Sequence, residues 1–376
     1  MLNEELIDKV IERLVVRLEE GNEYVLKQIG KSIKKIGTLS ASDVQRLGQL
    51  IKYGGDYDKI VRKLSQITDL NVKDIYTIFD EVAKNDYKFA KQFYDYKNVK
   101  YIPYEQNLAL QNQVRALANI TAGQYANFSN TMAFATTDNL GNIIYTDLST
   151  AYQDMLDKAI LSVSQGKTTF NEEISQAMKN FAEKGIRTVE YASGRHMRLD
   201  SALRMNMKAG IKDLHHELQK QFGEEFGADG WEVSVHGNPA PDHEEVQGRQ
   251  FSKEEFDRLQ SYGVAKDYKG RTIDLWNGKS FRPIGQLNCY HYEFAIILGV
   301  NTPEYTDEQL QQIIDDNNKG FELDGKHYTN YEGQQLQRQL ERRIREQKDI
   351  QIGAKASGLN DLVAESQKKI TALTKK

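Results

Sequence analysis

Three of the chain's seven histidines, His236, His243 and His291, share one short part of the sequence with Cys289, its single cysteine. Imidazole nitrogen and thiolate sulfur are the donors that zinc takes in tetrahedral sites, and a Cys-x-His pair joined by two distant histidines supplies four of them. The same side chains can instead form a hydrogen-bonded cluster that pins loops to one another. Their spacing follows no recognised zinc-finger pattern, so the polar cluster is the preferred reading and a structural zinc the alternative. No other cofactor is expected.

Further patterns that could do chemistry fall short on spacing. Gln165-Gly166-Lys167-Thr168 resembles the end of a phosphate-binding loop, but Leu161 stands where the first glycine belongs, and a turn between helices is the better reading. His215-His216-Glu217 would need a histidine three residues after the glutamate to make a zinc-protease helix; Lys220 is there, and the histidines read as solvated helix residues. There is no Gly-x-Ser-x-Gly elbow. Cys289 and His291 are too close in sequence to predict a nucleophile and its base. Arg338, Arg342, Arg343 and Arg345 offer a basic stretch to nucleic acid, although Glu341, Glu346 and Asp349 offset it, so a salt-bridged, solvated helix is the plainer reading.

Composition bounds what can position these groups. Fifty basic against 54 acidic side chains give a net charge of −4 in 376 residues, which sets up no global field for DNA phosphates or anionic lipid. One cysteine forms no intrachain disulfide, in keeping with synthesis in a reducing cytosol. The start Met1-Leu2-Asn3-Glu4-Glu5 does not read as a secretory leader, and the longest apolar stretch, Phe294 to Val300, is too short to span a bilayer, so no membrane partner is expected.

The pattern is mainly α. Leu2, Leu6, Ile7, Val10, Ile11, Leu14, Val15 and Leu18 recur at helical spacing, and a second stripe, Val25, Ile29, Ile33 and Ile36, ends at Gly37. Ser40 and Asp43 suggest a new start. Ile60, Leu64 and Ile67, then Ile75, Phe79, Val82, Phe89 and Phe93, continue it in blocks introduced by Asp or Asn caps, giving short helices in series. Helical spacing returns over Tyr104 to Phe128, Thr150 to Val163, Phe170 to Phe181 and Ser201 to Phe222.

Near residue 228 glycines gather, and Trp231 to His236 alternates in the period of a half-buried strand. The expected organisation is therefore a helical N-terminal region over 1–149, a region over 150–300 that is helical to about 227 and a small α+β unit over 228–300, and a polar helical tail over 301–376. A protease is expected to cut between Gly223 and Gly230. The tail starts with a capped helix over Thr306 to Ile314.

Taken together, Ser234-Val-His236, Pro241-Asp242-His243, Gln247-Gly248, Asn288-Cys289-Tyr290-His291 and Gly299 resemble the signature of the phage minor capsid protein 2 family, which is related to the Mu F-like head-morphogenesis proteins of tailed phages. Tyr191 to Arg195 and Asp200 to Met207 resemble that family's approach to the motif, and the likeness is strongest over 150–300. Val246 replaces a frequent aromatic and Tyr290 a frequent arginine, which alters local packing and leaves the ligand-type positions in place.

The resemblance implies a structural head protein and not an enzyme. It would be virion-borne, at the portal vertex or inside the head, with the portal protein or the major capsid protein as partner and packaged DNA as a further one. Residues 1–149 would dock on portal or capsid, while Gln247, Gly248, Asn288 and Gly299 would serve the motif's structure. The competing readings are a metal-dependent nuclease using His243, Asn288 and His291, and a DNA-binding module using the basic tail.

Overall fold

The structure is a computed structural model that describes residues 4–36, 55–130, 132–137, 143–147, 186–188, 197–276, 278, 280–285 and 289–375, with five residues between 172 and 179. It is mainly α. Compactness groups the chain into two units, one of residues 1–4, 77–119 and 208–338, the other of 5–76, 120–207 and 339–376.

Two long helices replace the expected series of short ones. Helix α1 spans Glu4–Ile36 and α2 spans Gly55–Lys97. The two apolar stripes belong to one helix, because Leu18, Val25, Leu26 and Ile29 carry a single buried face past Gly21-Asn22. Gly21 is where another side chain comes close: a Cβ there would lie 3.0 Å from the Ile67 side chain. Asn71, which reads as a cap, is buried inside α2, where its amide donates to the Leu14 carbonyl at 3.2 Å and to the Tyr125 hydroxyl at 2.9 Å. The Ser40–Asp43 start lies outside the described residues.

A short 3₁₀ turn, Tyr104–Gln106, precedes α3, Leu108–Asn130. Four strands follow, β1 Met132–Thr137, β2 Ile143–Asp147, β3 Ile186–Thr188 and β4 Met197–Arg198, paired antiparallel in the order β2-β1-β3-β4. This sheet adds four short strands to a region that the sequence reads as mostly α and that is so. The readings over Thr150–Val163, Gln165–Thr168 and Tyr191–Arg195 lie outside the described residues. Helix α4 then runs over Leu199–Phe226.

The second half of α2 and the end of α4 make an aromatic wall in the first unit. Phe93 stacks on Phe226 with centroids 4.9 Å apart, Tyr87 meets Phe222 at 5.0 Å, and the Tyr94 hydroxyl donates to Glu225. Such rings each bury a large apolar area. After α4 comes an antiparallel three-stranded sheet in the order β6-β5-β9, with β5 Gly230–Val233, β6 Gln250–Ser252 and β9 Glu293–Ile296. The strand is thus shorter than the Trp231–His236 alternation suggested.

Helix α5, Lys253–Tyr262, is capped by the Ser252 side chain and stopped by Gly263 in the left-handed region. The hairpin β7 Val264–Lys266 with β8 Thr272–Asp274 follows. Val233, Val246, Phe251, Phe256, Leu259, Ile273 and Ile284 form one apolar core among these elements.

The stretch from Gly223 to Gly230 is no exposed linker. Ala228 N–H donates to the Gly223 carbonyl at 2.7 Å, Asp229 N–H to Ile296, and Leu298 N–H to the Asp229 carboxylate. A cut there is therefore no longer expected.

Helix α6, Asp307–Lys319, carries the full Thr306/Gln309 capping box. The hairpin β10 Phe321–Leu323 with β11 Lys326–Tyr328 turns on Asp324 and Gly325, both at positive φ. Helices α7, Asn330–Ser357, and α8, Asn360–Thr374, end the chain. The tail is polar but not solvated all round. Asp349, Ile350, Gly353 and Ala354 are buried, and Asp349 pairs with Arg198 at 3.2 Å.

Helices α1 and α7 approach so closely at Gly30 that a Cβ there would lie 2.6 Å from the Ala356 Cβ and 2.8 Å from the Gly353 carbonyl oxygen. Backbone cannot yield as a side-chain tip can. Gly30→Ala should therefore lower stability by about 1–3 kcal/mol, although alanine by itself favours a helix by about 1 kcal/mol. Urea denaturation would show it; an unchanged or raised midpoint would disprove the close packing.

Candidate metal centre

Strand β5 is antiparallel to both neighbours, so its C-terminal end coincides with the beginnings of β6 and β9. His236 follows β5, Gln247 and Gly248 precede β6, and Cys289 and His291 precede β9. Topology alone gathers them at one end of the sheet. Cross-links hold the gathering: Gly248 N–H donates to Val233 at 2.9 Å, Ser234 N–H to the Tyr292 carbonyl at 2.8 Å, and Tyr292 N–H to the Ser234 hydroxyl at 2.9 Å.

His243, Cys289 and His291 converge, each offering a donor atom within 4.8 Å of the other two. The Cys289 Sγ lies 3.3 Å from His243 Nδ1 and 3.4 Å from His291 Nδ1, and it accepts the His291 backbone N–H at 3.4 Å. All three are buried, at 0%, 4% and 1% exposure for His243, Cys289 and His291. His236 stands just outside this triangle, its ring 4.4 Å from the His291 ring and half-buried.

The tautomers follow from the partners. His243 Nε2 is 2.6 Å from the Arg282 carbonyl, which can only accept, so Nε2 carries the proton. His291 Nε2 is 3.2 Å from Gln247 Oε1, and that oxygen also accepts the His236 backbone N–H at 2.8 Å, which fixes it as the acceptor end of the amide. In both neutral rings Nδ1 is then bare and faces the sulfur.

Burial, together with the positive charge of neighbouring groups, lowers the pKa of His236 to about 4 and pushes that of His243 and, further, of His291 below the ordinary histidine value. Neutral imidazoles are what a metal requires. Arg282, whose carbonyl orients His243, is itself held by Asp242 through two bonds of 2.7 and 3.1 Å.

Two of the remaining motif residues are glycines with positive φ. Gly248 has φ +64°, and a Cβ there would meet Leu310 at 2.8 Å and Val235 at 3.1 Å. Gly299, at φ +76°, makes the turn after β9. Asn288 lies outside the described residues. In the tail, Arg345 is tied to Asp200 at 3.2 Å and Glu19 at 3.3 Å, and Arg338 sits over the Tyr290 ring at 5.6 Å. Arg342 and Arg343 are exposed.

The sequence reading missed a second buried polar group beside this one. His215, taken for a solvated residue, is 1% exposed. Its Nδ1 meets Asp86 at 2.7 Å and its Nε2 the Glu293 carbonyl at 2.7 Å, while His216 pairs with the Glu293 carboxylate. The signal was there in the spacing of Ile211, His215, Leu218 and Phe222, one buried helical face. Lys212, on the same helix, donates to the Cys289 carbonyl.

Comparison with known proteins gives the class first: a structural component of a phage capsid. The family described as phage minor capsid protein 2 matches residues 2–376, well beyond the motif that suggested it. The chain belongs to that family. No curated protein and no solved structure matches it.

Burial opposes protonation of His215, but the charge and hydrogen bond of Asp86, helped by Glu293, outweigh it and raise the pKa above the ordinary histidine value. A raised pKa stabilises the fold fully below the unfolded value of about 6.5 and loses that contribution as pH climbs through the folded value. His216, raised by Glu293, acts in the same sense. The denaturation midpoint should thus fall as pH rises from about 6.5, and His215→Gln should flatten that fall while costing roughly 3–5 kcal/mol at low pH through the unpaired Asp86. A variant with the wild-type pH slope would remove His215 from the account.

Proposed function

We propose that this phage minor capsid protein works at the portal vertex or on the inner capsid surface, in head morphogenesis and in genome packaging or delivery, and that it works through surfaces and not catalysis. The observation that carries this reading is the family match along nearly the whole chain, which leaves no stretch of appreciable length outside it. The portal protein, the major capsid protein or both are the partners, reached from residues 1–149. Synthesis takes place in the host cytoplasm and the finished protein resides in the virion.

The site's chemistry supports the same reading. The one thiol and its two nearest imidazoles are shut from solvent, whereas a hydrolytic centre keeps a coordination position open to substrate. Surfaces suited to assembly are present instead. Tyr96 and Leu108, 58% and 70% exposed, flank the segment between α2 and α3 that also exposes Val99 and Ile102. Exposed apolar groups this close in sequence offer a surface for docking.

Mass spectrometry of purified virions and of portal complexes released from them should find the protein in both. Its absence from particles would end the reading. In a complementation assay, Leu108→Asp protein should stay soluble and folded but enter heads at a level reduced by about tenfold or more, as expected for the loss of a central apolar contact. Normal incorporation would shift the docking surface elsewhere. Heads that incorporate a folded His243→Ala protein fully, yet fail to cleave DNA, would replace the structural reading with a nuclease.

A further inference from the structure

The protons around Cys289 do not balance. Both imidazoles spend their Nε2–H on carbonyl oxygens, so two bare Nδ1 atoms face one sulfur, at 3.3 and 3.4 Å. A thiol has one proton to give. Sγ is already an acceptor for the His291 backbone N–H, so among the described residues one of the two buried nitrogens is left with no donor. An unsatisfied buried acceptor costs on the order of 1–3 kcal/mol, which a hydrogen-bonded loop clamp would not leave in place.

A cation at the centre of the triangle removes the imbalance, because it replaces the single proton and is met by all the lone pairs at once. We infer that His243 Nδ1, Cys289 Sγ and His291 Nδ1 bind a zinc ion as a structural centre, with the His236 imidazole as the fourth ligand. Zinc bonds of about 2.3 Å to sulfur and 2.0–2.1 Å to nitrogen put the sulfur and nitrogen of a tetrahedron about 3.6 Å apart, close to the separations found.

The surroundings fit as well. Ligating histidines hand their second N–H to a carbonyl that fixes ring and tautomer, which is what the Arg282 carbonyl and Gln247 Oε1 do. Thiolate with imidazole and no carboxylate selects zinc over magnesium or calcium. The His236 backbone is anchored through the same Gln247 oxygen that orients His291, and its ring lies 4.4 Å from the His291 ring, which makes it the nearest further imidazole. The centre would tie the ends of β5 and β9 to the 241–248 turn, and so close the sheet end that hydrogen bonds alone leave unbalanced.

The test uses the full chain, purified without chelators, with metals measured by mass spectrometry and the zinc then exchanged for cobalt. We expect about one zinc per chain, and for the cobalt form the intense visible bands of a four-coordinate ion with a thiolate-to-metal transition. Cys289→Ser should lose both. His236→Ala, whose residue is half-buried and so less needed for folding, should still bind but at least tenfold more weakly in competition with a chromophoric chelator. Wild-type protein that carries no zinc and takes none up at micromolar concentration overturns the centre, as does copper or iron at unit stoichiometry in its place. Zinc held as tightly by His236→Ala as by the wild type overturns the fourth ligand.

Discussion

The antiparallel placement of β5 between β6 and β9 is the constraint from which the small unit follows. Because both neighbours begin where β5 ends, residues separated by about 50 positions in sequence are delivered to one place without any long-range search by their side chains. Gln247 then works as the hinge pin of that place, since a single amide oxygen receives one proton from the β5 side and one from the β9 side. Gly248 is bound to the same logic: with a side chain, the strand entering β6 could not pass Leu310 and Val235.

A different principle governs the helical parts. There the chain accepts polar groups deep in the packing and satisfies them with one another. Asn71 inside α2 and His215 against Asp86 are buried, Arg198 between Asp200 and Asp349 is half-buried, and each is paired with another element. Pairs of this kind add little net stability compared with apolar packing, yet the loss of one partner is severe, so they specify which faces meet. Asp349 shows the strain of this: burial raises its pKa to about 6 even beside an arginine.

What the sequence disclosed and what it hid separate along these lines. The stripes of Ile7 to Leu18 and of Ile75 to Phe93 declared helices because their period is local. Helix lengths were misjudged because the gap between the stripe ending at Leu18 and the one starting at Val25, like the Asn that could cap the Ile75 block, looks like a boundary in isolation, whereas both places are packed by residues distant in sequence. The Asp324-Gly325 hairpin carried a legible turn signal that went unread, and β1 to β4 are short strands with little alternation to betray them. The histidine and cysteine cluster was legible as a set of ligand types. Its internal geometry was not, since tautomers depend on carbonyls of Arg282 and Gln247 that no spacing announces, and His215 found a partner 129 positions away.

The burial of Cys289 has a meaning outside folding. A virion waits between hosts in air-equilibrated surroundings, with no reductase and no resynthesis to replace a damaged subunit. Thiols oxidise step by step to sulfenic and then irreversible sulfinic and sulfonic acids, and the pace is set by how much thiolate meets the solvent. The chain's single thiol is 4% exposed and walled in by imidazole rings, so peroxide and a neighbouring subunit's sulfur are equally denied access. Shelf life, in a particle that cannot repair itself, is thereby built into the same few residues that close the sheet.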